Sequence, residues 1–483
     1  MGKRGKKLWI LLGVLAGCPC LLTGLALVGL KVRFAHVGAA LPDEIAAARQ
    51  AGMPTEPDDL RRELAIPQSD NAAVAYEKAF DLRTREAAGL PKDFEAIEDK
   101  VIAGKATAVE ATEFRRAVGQ LRDGLEAASK AAQMPRVDWN RHWEAEFQLL
   151  FPEYSSLRFF AKALAGRAIL NSRDGHVGPS LDDIQTMFGM ANHAGQEPML
   201  ISFLVQASTE GITENAMEKV LNAKVEDKDL DRAAAMIHNL HDLPNPRFWL
   251  GGELVMQRQT IHSIRSSADV PGSSDLSGSS GGDSGDQGPE LSSIDWLLKD
   301  PGYRRAWEAK AIHYVRRAHA AIPERNPSLS ELRTALGRVD DDIAADNSLE
   351  NKFNQSSSPS GWMFLSVFAN SGDAYIRALA KRRMMAVSIA ALKIWKSTGT
   401  PPSSLPDLGS DSIDPFSSRP LGYKHSKSGF KVYSVDADLA DDGGLTRQED
   451  KSGKSKTHDI AFSFGAASSV SMAPPGRATA GHG

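Results

Sequence analysis

The chain has only two cysteines in 483 residues, Cys18 and Cys20, and both lie in an uncharged stretch near its start. Everything after that stretch lacks disulfides and thiol chemistry, so its stability has to come from packed side chains. Catalytic signatures are missing too. The sequence has no His-Glu-x-x-His pair, and its one Gly-x-Ser-x-Gly string, Gly278–Gly282, lies in a Ser/Gly-rich run and not between a strand and a helix. Ser428-Gly429-Phe430-Lys431 has Ser-x-x-Lys spacing but falls in a hairpin, where the two side chains would not share a helix face. Gly453-Lys454-Ser455 imitates the end of a phosphate loop, yet the position needing the first glycine is Gln448. A basic stripe is absent as well. Net charge is −4, and residues 1–33 hold six basic residues and no acid, leaving −10 on the remainder. An acidic body of this kind excludes nucleic acid as the expected partner.

What is present begins with Leu8 to Leu30, 23 residues without a charge. As a helix this run would rise ~34 Å, enough to cross a hydrocarbon core of ~30 Å. Lys3, Arg4, Lys6 and Lys7 precede it, and Lys31 and Arg33 follow. The expectation is a cytoplasmic tail over 1–7, a single-pass inner-membrane anchor over 8–30 and an extracytoplasmic body. A second reading stays open. Leu15-Ala16-Gly17-Cys18 resembles a bacterial lipobox, which would make Cys18 a lipidated N-terminus. The apolar run continuing to Leu30, and Pro19 directly after the cysteine, favour the uncleaved anchor. Both readings tether the body to a membrane.

Residues 40–265 read as helix after helix, rich in Ala, Leu, Glu and Arg and poor in β-branched runs. Leu157, Phe160, Ala161, Leu164 and Ala168 form one apolar stripe, Leu181, Ile184 and Phe188 a second, and Leu200, Phe203, Leu204 and Ala207 a third. Asp174-Gly175 separates the first two, and Gly195 with Pro198 the next pair. Helical hairpins of this kind suggest an irregular α-hairpin array, without a sustained 34-residue period. Residues 266–293, almost pure Ser, Gly and Asp, read as a flexible loop. Helix resumes over 294–370, and 465–483 reads as a disordered tail.

The segment 371–464 has a different grammar. A helix carrying Met384, Val387, Ala391 and Ile394 stops at Gly399, followed by Thr400-Pro401-Pro402 and Asp414-Pro415-Phe416. Phe430, Val432 and Ser434 alternate with Lys431, Tyr433 and Val435, as Ile460, Phe462 and Phe464 do with Ala461 and Ser463. Period two of this kind predicts half-buried strands. Asp436, Asp438, Asp441, Asp442 and Asp459 lie between or beside them, with Gly443-Gly444.

In the order of these pieces, the last ~90 residues resemble the globular head of the major pseudopilin of type II secretion. The resemblance implies a small α+β module with an antiparallel sheet and a calcium loop, with Asp438, Asp442 and Asp459 as ligands; such loops suit hard cations. An insertion over Leu445–His458 carries Arg447, Lys451, Lys454 and Lys456, which can neutralise those acids instead. The chain departs from the family at its start: the processing site and the glutamate of the span are missing, and roughly 340 residues separate span and module.

Other clusters read as packing. Trp139, His142, Trp143, Glu144 and Glu146 suit a helix junction, and Trp249-Leu250-Gly251-Gly252-Glu253 a close approach between helices. His238 and His241 lie three apart beside Asp242 but lack a third metal ligand. The fold class expected is mainly α: a transmembrane helix, a large irregular helical body and a small C-terminal α+β module. The function expected is a membrane-anchored, extracytoplasmic interaction or scaffold protein of a bacterial envelope, with other envelope proteins as partners. Two alternatives are an exported hydrolase assembled from distant residues, such as Glu253, His238 and His241, and an accessory component of a type II secretion-like machine.

Overall fold

The computed structural model describes Leu25 and residues 28–148, 150–264, 298–325, 327–338, 365–450 and 457–465. The chain is mainly α-helical, with a small three-stranded antiparallel sheet near its C-terminus. Among the described residues no helix is long and apolar enough to cross a membrane. The proposed anchor over 8–30 lies outside them except at its last residues. The 266–293 loop, most of the 465–483 tail and the patch at 339–364 also lie outside.

Helix α1 spans 28–39 and leads into α2 (Leu41–Gln50) and α3 (Pro57–Leu64). Then come α4 (Ala72–Ala87), α5 (Phe94–Ala103), α6 (Ala108–Gln120) and α7 (Arg122–Ala132). The three stripes expected from the sequence become α8 (Pro152–Arg173), α9 (Val177–Ala194) and α10 (Leu200–Leu221), packed against one another. Gly175 separates α8 from α9 in the left-handed region, at φ 88°. The body continues with α11 (Asp227–His238), α12 (Pro246–Ser263), α13 (Pro301–Ala321) and α14 over 329–338.

Helix α15 (Leu365–Thr398) starts six residues before the expected Ser371, since no breaker separates Leu365 from Ser371. It ends at Gly399, whose φ of 77° closes the helix. Strands β1 (Gly422–Ser426), β2 (Gly429–Ser434) and β3 (Ile460–Gly465) follow in the order β1-β2-β3, with Val432 opposite Tyr423 on one side and Phe462 on the other.

All six residues of β2 are buried, not alternate ones. Phe430 and Val432 face the helical core, while the loop at Gly443-Gly444 lies over Lys431 and Tyr433 on the other face. Nor is the sheet an appendage to the helical body. Phe430, Val432, Phe462 and Phe464 join one apolar cluster with Met384 and Val387 of α15, Val220 of α10 and Phe160 of α8. The outer edge of β3 is closed by α10: Glu218 accepts the Ser463 N–H at 2.6 Å, and Asn222 bonds the Ser463 carbonyl at 2.9 Å and the Gly465 N–H at 2.8 Å. An edge strand capped in this way offers no free ladder to another chain.

Two helices tie the interior together. The first half of α15, with Tyr375 and Ile376, belongs to a second cluster with Phe203, Trp249, Leu254 and Ile312, and its second half to the first cluster. Helix α10 is divided likewise, Leu200 and Phe203 in one and Met217 and Val220 in the other. The Trp249–Glu253 string is now accounted for. A Cβ on Gly252 would collide with the Pro198 carbonyl, and one on Gly251 would lie 2.9 Å from the Pro54 ring. Glu253 then accepts the Leu200 N–H at 3.0 Å, taking up one of the unpaired donors that open α10. Trp143 packs with Leu60, Leu64, Met199 and Val255, as a junction residue.

Candidate binding cleft

An open cleft of about 860 Å³ lies where α9, α10, α12 and α15 meet the loops at 239–245 and 322–325. Its walls are held by side chains reaching backbone. Asn245 caps α12 through the Arg247 N–H at 2.9 Å and donates to the carbonyls of Pro323 and Glu324, each at 2.9 Å. Arg247 donates to the Ile322 carbonyl at 2.6 Å. Gln196 spans Val137 N–H at 2.8 Å and Pro135 carbonyl at 2.9 Å. Walls fixed in this way lose little freedom when a ligand enters.

Beneath the cleft is a buried charge pair. Arg382 of α15 holds Glu210 of α10 in a two-pronged contact, at 2.8 and 2.6 Å, and donates to the His241 carbonyl at 2.6 Å. Gln206 gives its amide N–H to Glu210 at 2.9 Å, so its Oε1 stays buried without a donor, against Gly195. Glu214, one turn beyond Glu210, is fully enclosed, and burial pushes its carboxyl up to about 8. Nearby His193 is neutral: burial drops it to about 4, with one ring nitrogen at the Met134 carbonyl, 2.7 Å, and the other at the Tyr76 hydroxyl, 3.0 Å.

Among the described residues, several polar groups facing the cleft show no side-chain partner: the Asn192 amide, the His241 imidazole, the Asp242 carboxylate and the Arg325 guanidinium. Tyr375 brings its hydroxyl, pushed up to about 12 chiefly by burial, and Phe248 a half-buried ring. Volume and mixed lining suit a small polar ligand or a short chain segment. Nucleophilic catalysis needs a nucleophile and a base in hydrogen-bond reach, and His241 bonds no other side chain. Of the hydrolase trio only His241 lines the cleft; His238 is exposed on α11, and Glu253 is engaged at the start of α10. The sequence signal for the cleft was weak, because its polar residues come from five separate segments.

The expected calcium ligands are not gathered into a set. Asp442 and Asp459 meet, with Asp459 accepting the N–H groups of Asp442 at 3.4 Å and Gly444 at 2.5 Å. Asp438 is exposed and accepts the Ala440 N–H instead. Among the described residues no three such groups converge to hold a metal ion. Of the insertion's basic residues, Lys451, Lys454 and Lys456 lie outside the described residues. Lys431 of β2 places its ammonium against the Gly444 carbonyl at 3.0 Å and the Glu449 carboxylate at 2.8 Å, pinning the loop to the sheet. Burial, opposed by its backbone hydrogen bonds, raises Asp459 to about 7, so it serves as a staple of the loop. The residues therefore do not fit calcium as expected. Asp414, almost fully buried, ties the Asp-Pro turn to β2 through Ser434 at 2.8 Å.

No protein-family model, curated protein or solved structure matches the chain.

Proposed function

We propose that this is a membrane-tethered, extracytoplasmic binding or scaffold protein of a bacterial envelope, which holds part of a partner in the cleft between α9, α10, α12 and α15. The observation that carries the reading is the set of unpartnered polar groups, Asn192, His241, Asp242 and Arg325, on walls pinned by backbone hydrogen bonds. The tether rests on the uncharged run Leu8–Leu30, with Cys18 lipidation as its alternative form. Asp242 and Arg325 are exposed, so replacing both by alanine leaves the fold intact. Crosslinking in intact envelopes should recover a partner with the parent chain and lose it with Asp242→Ala/Arg325→Ala. Equal recovery with both chains would remove the cleft from the function.

A second reading, an accessory of a type II secretion-like machine, is favoured by one observation. A long helix packed on a small antiparallel sheet is the arrangement the pseudopilin resemblance implies. Because α10 covers the β3 edge, docking would use another face of the module. Secretion unimpaired after glutamate replaces the half-buried Lys424 and the exposed His425 of β1 would dismiss it.

A further inference from the structure

Gln196, Asn222 and Asn71 put the side-chain amide to one use: each grips main chain with both of its ends. Gln196 accepts the Val137 N–H at 2.8 Å and donates to the Pro135 carbonyl at 2.9 Å. Asn222 accepts the Gly465 N–H at 2.8 Å and donates to the Ser463 carbonyl at 2.9 Å. Asn71 accepts the Asp138 N–H at 2.9 Å and donates to the carbonyl of the same residue at 2.8 Å. A helix spends its N–H and C=O groups internally, so only extended or irregular chain offers both to a side chain.

Asn192 stands one turn before Gln196 at the end of α9, and both line the cleft. Its amide is half-buried and makes no hydrogen bond among the described residues. Deeper in the wall, Gln206 is 2% exposed. Its N–H is committed to Glu210, whose carboxylate the Arg382 guanidinium also holds, so a turned-over amide would set oxygen against oxygen. The orientation is thereby fixed, and the buried Oε1 is left as an acceptor without a donor. That oxygen fills the space where Gly195, another residue of the cleft wall, would carry a Cβ. Tyr375, 1% exposed, adds a hydroxyl that makes no hydrogen bond among the described residues. At the mouth, Asp242 and Arg325 are exposed, of opposite sign, and in no ion pair among the described residues.

We propose that the cleft holds an extended peptide segment, read through its main chain by Asn192, Gln206 and Tyr375, with a basic side chain against Asp242 and an acidic one against Arg325. A main-chain N–H entering beside Gly195 supplies the donor that Gln206 lacks, and main-chain carbonyls meet the Asn192 amide and the Tyr375 hydroxyl. Unpaired charges of both signs give a neutral sugar nothing, and they select against a segment carrying a single sign. The inference rests on the proposed function and narrows it: the part of the partner held in the cleft is an extended stretch of mixed charge.

The test presents the full chain, in detergent, with a random library of terminally blocked peptides of about eight residues. Enriched sequences should share one basic and one acidic residue in a fixed order and separation. Asn192→Ala, which breaks no hydrogen bond of the free protein, should weaken an enriched peptide about fivefold at an unchanged melting temperature. Methylating the peptide's main-chain nitrogens between the two charges should weaken it by a similar factor. Asp242→Lys/Arg325→Glu should reverse the preferred order of the charges. Enrichment of nothing, or of sequences without the charge pair, overturns the inference. So does free lysine or glutamate competing as well as the whole peptide, which would make the cleft a site for a small zwitterion. Loss of the crosslinked partner in Asp242→Ala/Arg325→Ala with no peptide enriched would keep the cleft in the function and remove only its extended-chain ligand.

Discussion

Replacing Glu253 by glutamine separates its structural role from its charge. The carboxylate accepts the Leu200 N–H at 3.0 Å, with no cation among its influences, and burial pushes it up to about 7 from 4.5. The sign follows from the raised value. Below pH 4.5 the group is protonated whether the chain is folded or not, and it costs nothing. Between 4.5 and 7 the unfolded chain releases the proton first, so stability falls as pH rises, and above 7 the loss is complete. The shift of 2.5 units corresponds to ~3 kcal/mol at most, and partial solvent access brings this to about 1–2 kcal/mol. Glutamine keeps an oxygen for the Leu200 N–H and carries no charge. Urea unfolding at pH 5 and pH 8 should show Glu253→Gln near parity at the lower pH and more stable by about 1–2 kcal/mol at the higher. A parallel offset at both pH values would refute the reasoning, because it would mean that the carboxyl does not titrate between them in the fold.

Arg382→Met leaves Glu210, 3% exposed, without its counter-charge and should cost about 3–5 kcal/mol, much of it recovered in Arg382→Met/Glu210→Met; denaturant midpoints of the three chains decide it. Gly252→Ala drives a methyl into the Pro198 carbonyl, which neither helix can easily yield. It should lower stability by about 1–3 kcal/mol, and an unchanged melting temperature would contradict the close approach. Millimolar calcium should leave the melting temperature where it is, since Asp438 is apart from Asp442 and Asp459 and no three such groups converge among the described residues. A calcium-dependent rise that disappears in Asp442→Asn would restore the metal site.

Stripes such as Leu157–Phe160–Leu164 and Leu181–Ile184–Phe188 made α8 and α9 legible, because an amphipathic period is local information. The same holds for the stop at Gly399 and for the alternation that became β2 and β3. The helical string Trp249–Glu253 could be recognised as a close approach, but not the partner that required it. That partner, the backbone of Pro198, lies about fifty residues away. The aspartates show the opposite case. Their spacing pointed to a metal loop, while in the fold Asp436 is answered by Arg377, Asp438 stands apart, and Asp459 is spent on backbone N–H groups of the loop.

By itself, then, the sequence determined that the chain is mainly helical and stabilised without disulfides, that it begins with a long apolar run, and that it ends in a helix and small sheet. Each of these follows from composition or from periods of two and 3.6 residues. Only the tertiary structure decided that the sheet is fused to α10 and α15, that Glu253 opens a helix, and that five separate segments enclose a polar cleft. Those facts depend on which faces meet, and apolar stripes are too alike to specify their partners without the packing itself.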